Sequence, residues 1–213
     1  KRSFAPAYRQ TDEQTIVPLE FSPNGSWFVV FREAAEKHPA TKRSNSPLFQ
    51  PGMEIGGAWD VHFDPKWGGP AEARFDDLIA WNAHAEPGIK YYSGTAVYRK
   101  SFPGPAEQQR KGQRIWLDLG NLRELAEVRL NGKDLGIVWM PPFRVDITAA
   151  LQAGTNRLEV EVVNFWPNRI IGDQFLPEDK RYTRTNIRKL TRESKLMESG
   201  LLGPVRLMYG CEE

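Results

Sequence analysis

Five consecutive residues, Phe165-Trp-Pro-Asn-Arg169, set two aromatic rings, an amide and a guanidinium side by side. That set suits a hydroxyl-rich ring such as a sugar. The aromatic rings cover its apolar face, while the polar groups of Asn168 and Arg169 pair with hydroxyls that are costly to bury unpaired. Pro167 stiffens the loop and lowers the ordering cost of binding. Further candidates are Trp67 in a Gly-Gly loop, Trp139 ahead of Pro141-Pro142, and the pair Tyr91-Tyr92. Each has a plainer reading as packing area. The Trp166 segment has a second one, because a contact with another domain draws on the same residue types. Trp81 lies on a helical apolar rhythm, and Trp59 and Trp116 lie in strands, so these three read as core or sheet face.

Signals for covalent chemistry are absent from the sequence. There is no Gly-x-Ser-x-Gly, no Cys–His spacing and no phosphate loop. His38, His62 and His84 are not spaced as metal ligands, so no metal site and no cofactor are expected. Hydrolysis of a glycosidic bond needs two carboxyl groups flanking it. Asp118, Glu127, Asp146, Glu159 and Glu161 fall in the outward phase of strands, where a solvated face accounts for them. No catalytic pair is assigned. Were one present, Asp173, Glu178 and Asp179 would be the first carboxylates to test. The run Lys180–Lys195 holds seven Lys or Arg and one Glu. It reads as a solvated loop, or as a face for an acidic polysaccharide carried by Arg181, Arg184, Arg188 and Lys189.

Overall charge excludes other partners. Lys and Arg number 29 against 27 Asp and Glu, so no global field favours nucleic acid or a membrane surface. The longest apolar run, Trp27 to Phe31, is too short to span a bilayer. Cys211 is alone, so it forms no disulfide within the chain and leaves the compartment open; a secreted or periplasmic bacterial setting is expected. A chain of 213 residues should fold with roughly 10,000 Å² exposed, enough to bury a substantial core. The chain starts at Lys1 rather than Met, which is the expectation for a piece of something larger.

The candidate residues must be held by β-strands. Trp116-Leu-Asp-Leu-Gly120, Ala126 to Gly136, Phe143 to Thr148 and Leu158 to Asn164 alternate apolar and polar residues with period two. Asn131-Gly132 supplies a two-residue hairpin turn, and Ala149 to Gly154 a short helical turn stopped by glycine. A strand is expected from Met53 or Glu54 through Trp59–Phe63, a helical stretch over Phe75–Ala83, and strands over Tyr92–Phe102 and Leu201–Tyr209. Phe165–Gly200 reads as a long excursion with few apolar residues. Ahead of these, Ile16–Ser22 and Gly25–Arg32 read as a hairpin around Ser22-Pro-Asn-Gly25, followed by a polar linker to Gln50. The fold class is all-β, a jelly-roll β-sandwich over residues 51–213, with residues 1–50 forming a short N-terminal β-hairpin and linker, the tail of a preceding domain.

The ordered series Leu-Gly, Ala126-Glu-Val-Arg-Leu-Asn-Gly-Lys133, Pro142-Phe-Arg-Val-Asp-Ile-Thr148 and Leu151-Gln-Ala-Gly-Thr-Asn-Arg-Leu158 resembles the sugar-binding jelly roll of family 2 glycoside hydrolases, which has a galactose-binding-like fold. Gly88–Lys100, Val163–Asp173 and Ser199–Arg206 narrow the resemblance to the C-terminal region of α-L-rhamnosidases of glycoside hydrolase family 106, from about Gly52 onward. The resemblance implies catalytic carboxylates in a barrel upstream. It also implies a partner glycan containing rhamnose, pectic in one version, and admits a structural Ca2+ held by loop oxygens. The expected function is a non-catalytic carbohydrate-binding or accessory domain supporting that barrel. An independent carbohydrate-binding module and a purely structural docking domain stay open beside it.

Overall fold

In the computed structural model, which describes residues 4–32, 44–105, 113–186 and 189–211, the period-two segments are antiparallel strands. In chain order the first seven are β1 (Arg9–Gln10), β2 (Thr15–Ile16), β3 (Leu48–Glu54), β4 (Trp59–Phe63), β5 (Ala73–Phe75), β6 (Thr95–Pro103) and β7 (Arg114–Asp118). The rest are β8 (Asn121–Arg123), β9 (Leu125–Leu130), β10 (Lys133–Val138), β11 (Arg144–Asp146), β12 (Thr155–Val163), β13 (Gly200–Gly203) and β14 (Arg206–Cys211). Among the described residues two short helices interrupt them, α1 (Pro87–Lys90) and α2 (Pro167–Asp173). One layer has the order β10-β9-β12-β6-β4-β5 and the other β11-β7-β14-β3; a small β13-β8 ladder and the β1-β2 ladder complete the set.

The alternation explains the layers. Ala126, Val128 and Leu130 of β9 and Leu158, Val160 and Val162 of β12 point inward and are fully buried or nearly so. Across the interior they meet Ile115 and Leu117 of β7 and Leu207 of β14. The outward phase is charged, and Arg99 to Glu159 and Arg129 to Glu161 bridge neighbouring strands there. Asn131 and Gly132 carry φ of 54° and 80°, the double positive value that a two-residue turn between twisted strands requires. Asn131 also ties this turn to β12 and to the β11–β12 connection. Its amide donates to Ala150 O (2.8 Å) and Asn156 Oδ1 (2.9 Å), and its oxygen accepts from Arg157 N (2.9 Å). This is a mostly β structure consistent with the expected sandwich.

Several local expectations are corrected. The strand expected from Met53 through Phe63 is two strands in different sheets. Gly57, at φ 73°, lets the chain turn the corner after Ile55 N–H bonds Val205 O (2.8 Å). Phe75–Ala83 is not helical throughout. It is the end of edge strand β5 and a single 3-10 turn, because Trp81 enters the core alone, its backbone N–H bonded to Ser199 O (2.9 Å). The turn at Ser22–Gly25 forms, with Gly25 N–H on Ser22 O (2.8 Å), but among the described residues its arms make no backbone ladder and are joined instead by Trp27 Nε1 donating to Glu20 O (2.9 Å). A lone two-stranded ribbon is marginal in water. The ladder found at this end is β1-β2, further toward the N-terminus. β3 starts at Leu48, so the sheet takes in residues ahead of position 51. The accessible surface of 14279 Å² exceeds the ~10,000 Å² usual for this mass.

Candidate functional site

Phe165 and Trp166 lead into a helix, so Pro167–Arg169 are helical rather than loop. Pro167 occupies the first turn of α2, where its fixed φ and missing N–H cost nothing, and Ile170 and Ile171 face inward. Asn168 is 1% and Arg169 4% exposed. The Asn168 amide pairs with the backbone of Met197, donating to its carbonyl O (2.7 Å) and accepting from its N–H (2.8 Å). Arg169 Nε donates to Asp173 Oδ1 (3.0 Å), one turn along the helix. Asp173, 2% exposed, also accepts from the backbone N–H groups of Tyr182 (3.3 Å) and Thr183 (2.8 Å) and from Thr183 Oγ1 (2.6 Å). The Arg169 guanidinium lies 4.9 Å from the centre of the Tyr182 ring. This buried cluster fastens the long excursion 174–199 to the sandwich.

The aromatic candidates divide accordingly. Trp166 is half exposed and meets Trp67 edge-on, with centroids 5.4 Å apart at 77°. Tyr91 is half-buried and faces Phe175 at 5.5 Å. Tyr92 is fully buried: its ring meets Phe63 and Trp81, while its hydroxyl accepts from Asp64 N–H (3.1 Å) and donates to Thr95 O (2.9 Å). Burial pushes this phenol above its ordinary range. Tyr92, Asn168 and Arg169 are therefore spent on the protein's own interior, a correction to their reading as sugar contacts. Trp139 is well exposed after β10 and, among the described residues, pairs with no other ring.

Of the basic candidates, Arg181 Nε donates to Asp173 O (3.0 Å), while Arg184 and Lys189 are exposed. Arg188 lies outside the described residues. Phe165, already in the candidate segment, is joined at this end by Phe175 and Arg192, which the sequence did not single out. Phe165 and Phe175 are half exposed, and Arg192 bonds Gln174 O (2.6 Å) and sits over the Phe175 ring at 5.4 Å. The Arg169/Asp173 spacing of four and Pro167 at a helix start were the available signals for α2.

Chemically, the arrangement presents a half-exposed aromatic edge flanked by cations. Asp173 is too enclosed to serve as acid or nucleophile, and Glu178 and Asp179 are solvent-exposed. Among the described residues no three His, Cys, Asp or Glu side chains gather as a metal would need, and no helix is long and apolar enough to cross a membrane.

Residues 79–194, which include α2 and most of the excursion, match the family model described as glycosyl hydrolase 2 galactose-binding domain-like. The chain belongs to this family. A protein named putative beta-glucuronidase from Formosa agariphila is 38% identical over 200 residues, covering 83% of this chain and 17% of that protein. A beta-glucuronidase of the same organism is 32% identical over 92 residues, 42% of this chain and 9% of that one. Among solved structures, the rhamnosidase from Novosphingobium sp. PP1Y superposes with a TM-score of 0.83 at 37% identity, covering 95% of this chain and 19% of that chain. This glycosyl hydrolase 2 galactose-binding-like chain thus spans less than a fifth of the length of these relatives. Trp166, Tyr91, Arg184 and Lys189 lie within the family match, and Trp67 lies outside it.

Proposed function

We propose that this chain is a non-catalytic accessory β-sandwich of a larger α-L-rhamnosidase-type glycoside hydrolase, where it braces a catalytic barrel formed elsewhere in the polypeptide. The observation that carries this reading is the superposition over 95% of the chain on 19% of a rhamnosidase, joined to a candidate end whose one buried carboxylate, Asp173, is occupied by four internal donors. The Trp67–Trp166 end packs against the barrel beside the sugar site. That placement accounts for half-exposed aromatics whose neighbouring polar groups, Asn168 and Arg169, are turned inward. The glycan is rhamnose-containing and, through the exposed Arg184 and Lys189, acidic in the manner of pectin. The working compartment is secreted or periplasmic.

The relatives' names divide between rhamnosidase and glucuronidase, so the test must separate them. The full-length polypeptide is assayed on aryl α-L-rhamnoside and aryl β-D-glucuronide, and the 213-residue chain on both. The expected result is rhamnoside cleavage by the full-length protein alone. Turnover of the glucuronide instead would replace the substrate, and turnover by the 213-residue chain would end the accessory reading. The second reading, an independent carbohydrate-binding module, draws on the half-exposed Trp166 ring. It predicts saturable heat when this chain is titrated with rhamno- or pectic oligosaccharide, and loss of that heat in Trp166→Ala.

A further inference from the structure

Five consecutive apolar residues, Trp27-Phe-Val-Val-Phe31, follow the Ser22–Gly25 turn, and all are exposed: 53%, 94%, 49%, 66% and 72% in order. Among the described residues, 26–32 make no backbone–backbone hydrogen bond. Bulky β-branched and aromatic residues are those that favour strands. In a strand, Trp27, Val29 and Phe31 share one face while Phe28 and Val30 share the other. Apolar residues on both faces mark a strand covered on both sides, unlike the alternation of a half-solvated one. The sandwich of this chain does not provide that cover.

We infer that Trp27–Phe31 is a β-strand belonging to a sheet outside these 213 residues, inserted at an open edge of a neighbouring domain of the same longer polypeptide. The occupant of the surface is therefore a sheet edge between two apolar layers. Two observations select it over a solvated tail or a second copy. Coverage of 95% in the rhamnosidase superposition must include most of residues 4–32, and the matched region makes up only 19% of that longer chain. The segment's counterpart therefore sits inside a polypeptide with abundant further structure. Second, covering both faces needs two layers, whereas edge pairing with a second copy would add a strand and leave the faces wet. The inference rests on the chain being part of a longer polypeptide, not on its substrate.

Hydrogen exchange of the amides of 27–31, read by mass spectrometry, is the test. It is run on the 213-residue chain and on the full-length polypeptide, each at two concentrations. The expected result is near-unprotected exchange in the short chain and exchange slowed by about a hundredfold or more in the long one, as for a buried strand. Equal exchange in both overturns the inference. So does protection in the short chain that rises with concentration, which would assign the strand to a second copy. A reading frame encoding no β-rich region beyond these residues overturns it too. Rhamnoside and glucuronide turnover are recorded on the same full-length sample, so a wrong substrate leaves the exchange result standing.

Discussion

Two buried residues carry consequences that stability measurements can read. Removing the Asp173 carboxylate strands the Arg169 guanidinium at 4% exposure and releases three donors from 182–183. Breaking a buried pair from one side costs about 3–5 kcal/mol, so Asp173→Ala should lower the urea midpoint by a corresponding amount; an unchanged midpoint would contradict the role given to this cluster. Tyr98 is fully buried; its hydroxyl accepts from Trp81 Nε1 and from Leu201 N–H (3.3 Å). Desolvation raises its pKa well above the ordinary phenol value of 10.0, and the Trp81 bond offsets only part of that. The folded value lies above the unfolded one. The contribution is therefore whole below pH 10 and is lost as pH rises beyond it toward the folded value. Tyr92 adds to this in the same direction. The urea midpoint should stay flat to near pH 9.5 and fall above 10, whereas Tyr98→Phe should lower neutral stability by about 1–3 kcal/mol and soften the alkaline fall.

At the scale of elements, α2 acts as a clasp. Its seven residues are too few to be stable alone. Burial of Ile170 and Ile171 and the Asn168–Met197 pairing hold it, and it in turn holds the excursion 174–199 across the end of the sandwich. Asn168→Ala should leave the strands intact and speed tryptic cleavage within 180–195 by about tenfold, the change expected from losing ~1–1.5 kcal/mol of local closure. Cleavage at the wild-type rate would mean that other contacts, such as Arg181 to Asp173 O, suffice. The β9–β10 hairpin was legible in advance because its turn and its alternation agree at every position. The helix was hidden because Trp-Pro-Asn carries the residues of loop punctuation, although a proline in the first turn is equally a helix start.

At the scale of the whole molecule, the proposed function sets the half-exposed rings of the Trp67–Trp166 end against the barrel. Trp166→Ala removes an edge-on aromatic contact worth about 0.5–1.5 kcal/mol. In the 213-residue chain its thermal midpoint should therefore move by only a few degrees. In the full-length protein the same change should lower kcat/KM severalfold together with the thermal midpoint. A rise in KM alone, with stability intact, would instead point to direct contact with the sugar. If the basic run draws a charged glycan, turnover of acidic substrate should fall steeply with salt while that of a neutral one does not.

Local pattern was enough to determine strands β7, β9, β11 and β12, the Asn131-Gly132 turn and the all-β class. Each depends on period-two burial and on dihedral preferences that neighbours in sequence set. It also carried the family resemblance. Tertiary structure alone decided which polar residues are free. Asn168, Arg169 and Tyr92 look like ligand contacts when read in line, but their partners are Met197, Asp173, Asp64 and Thr95, and distant partners such as Met197 come near only when the chain folds back. Burial of a polar group is set by what packs over it, and residues distant in sequence supply that cover.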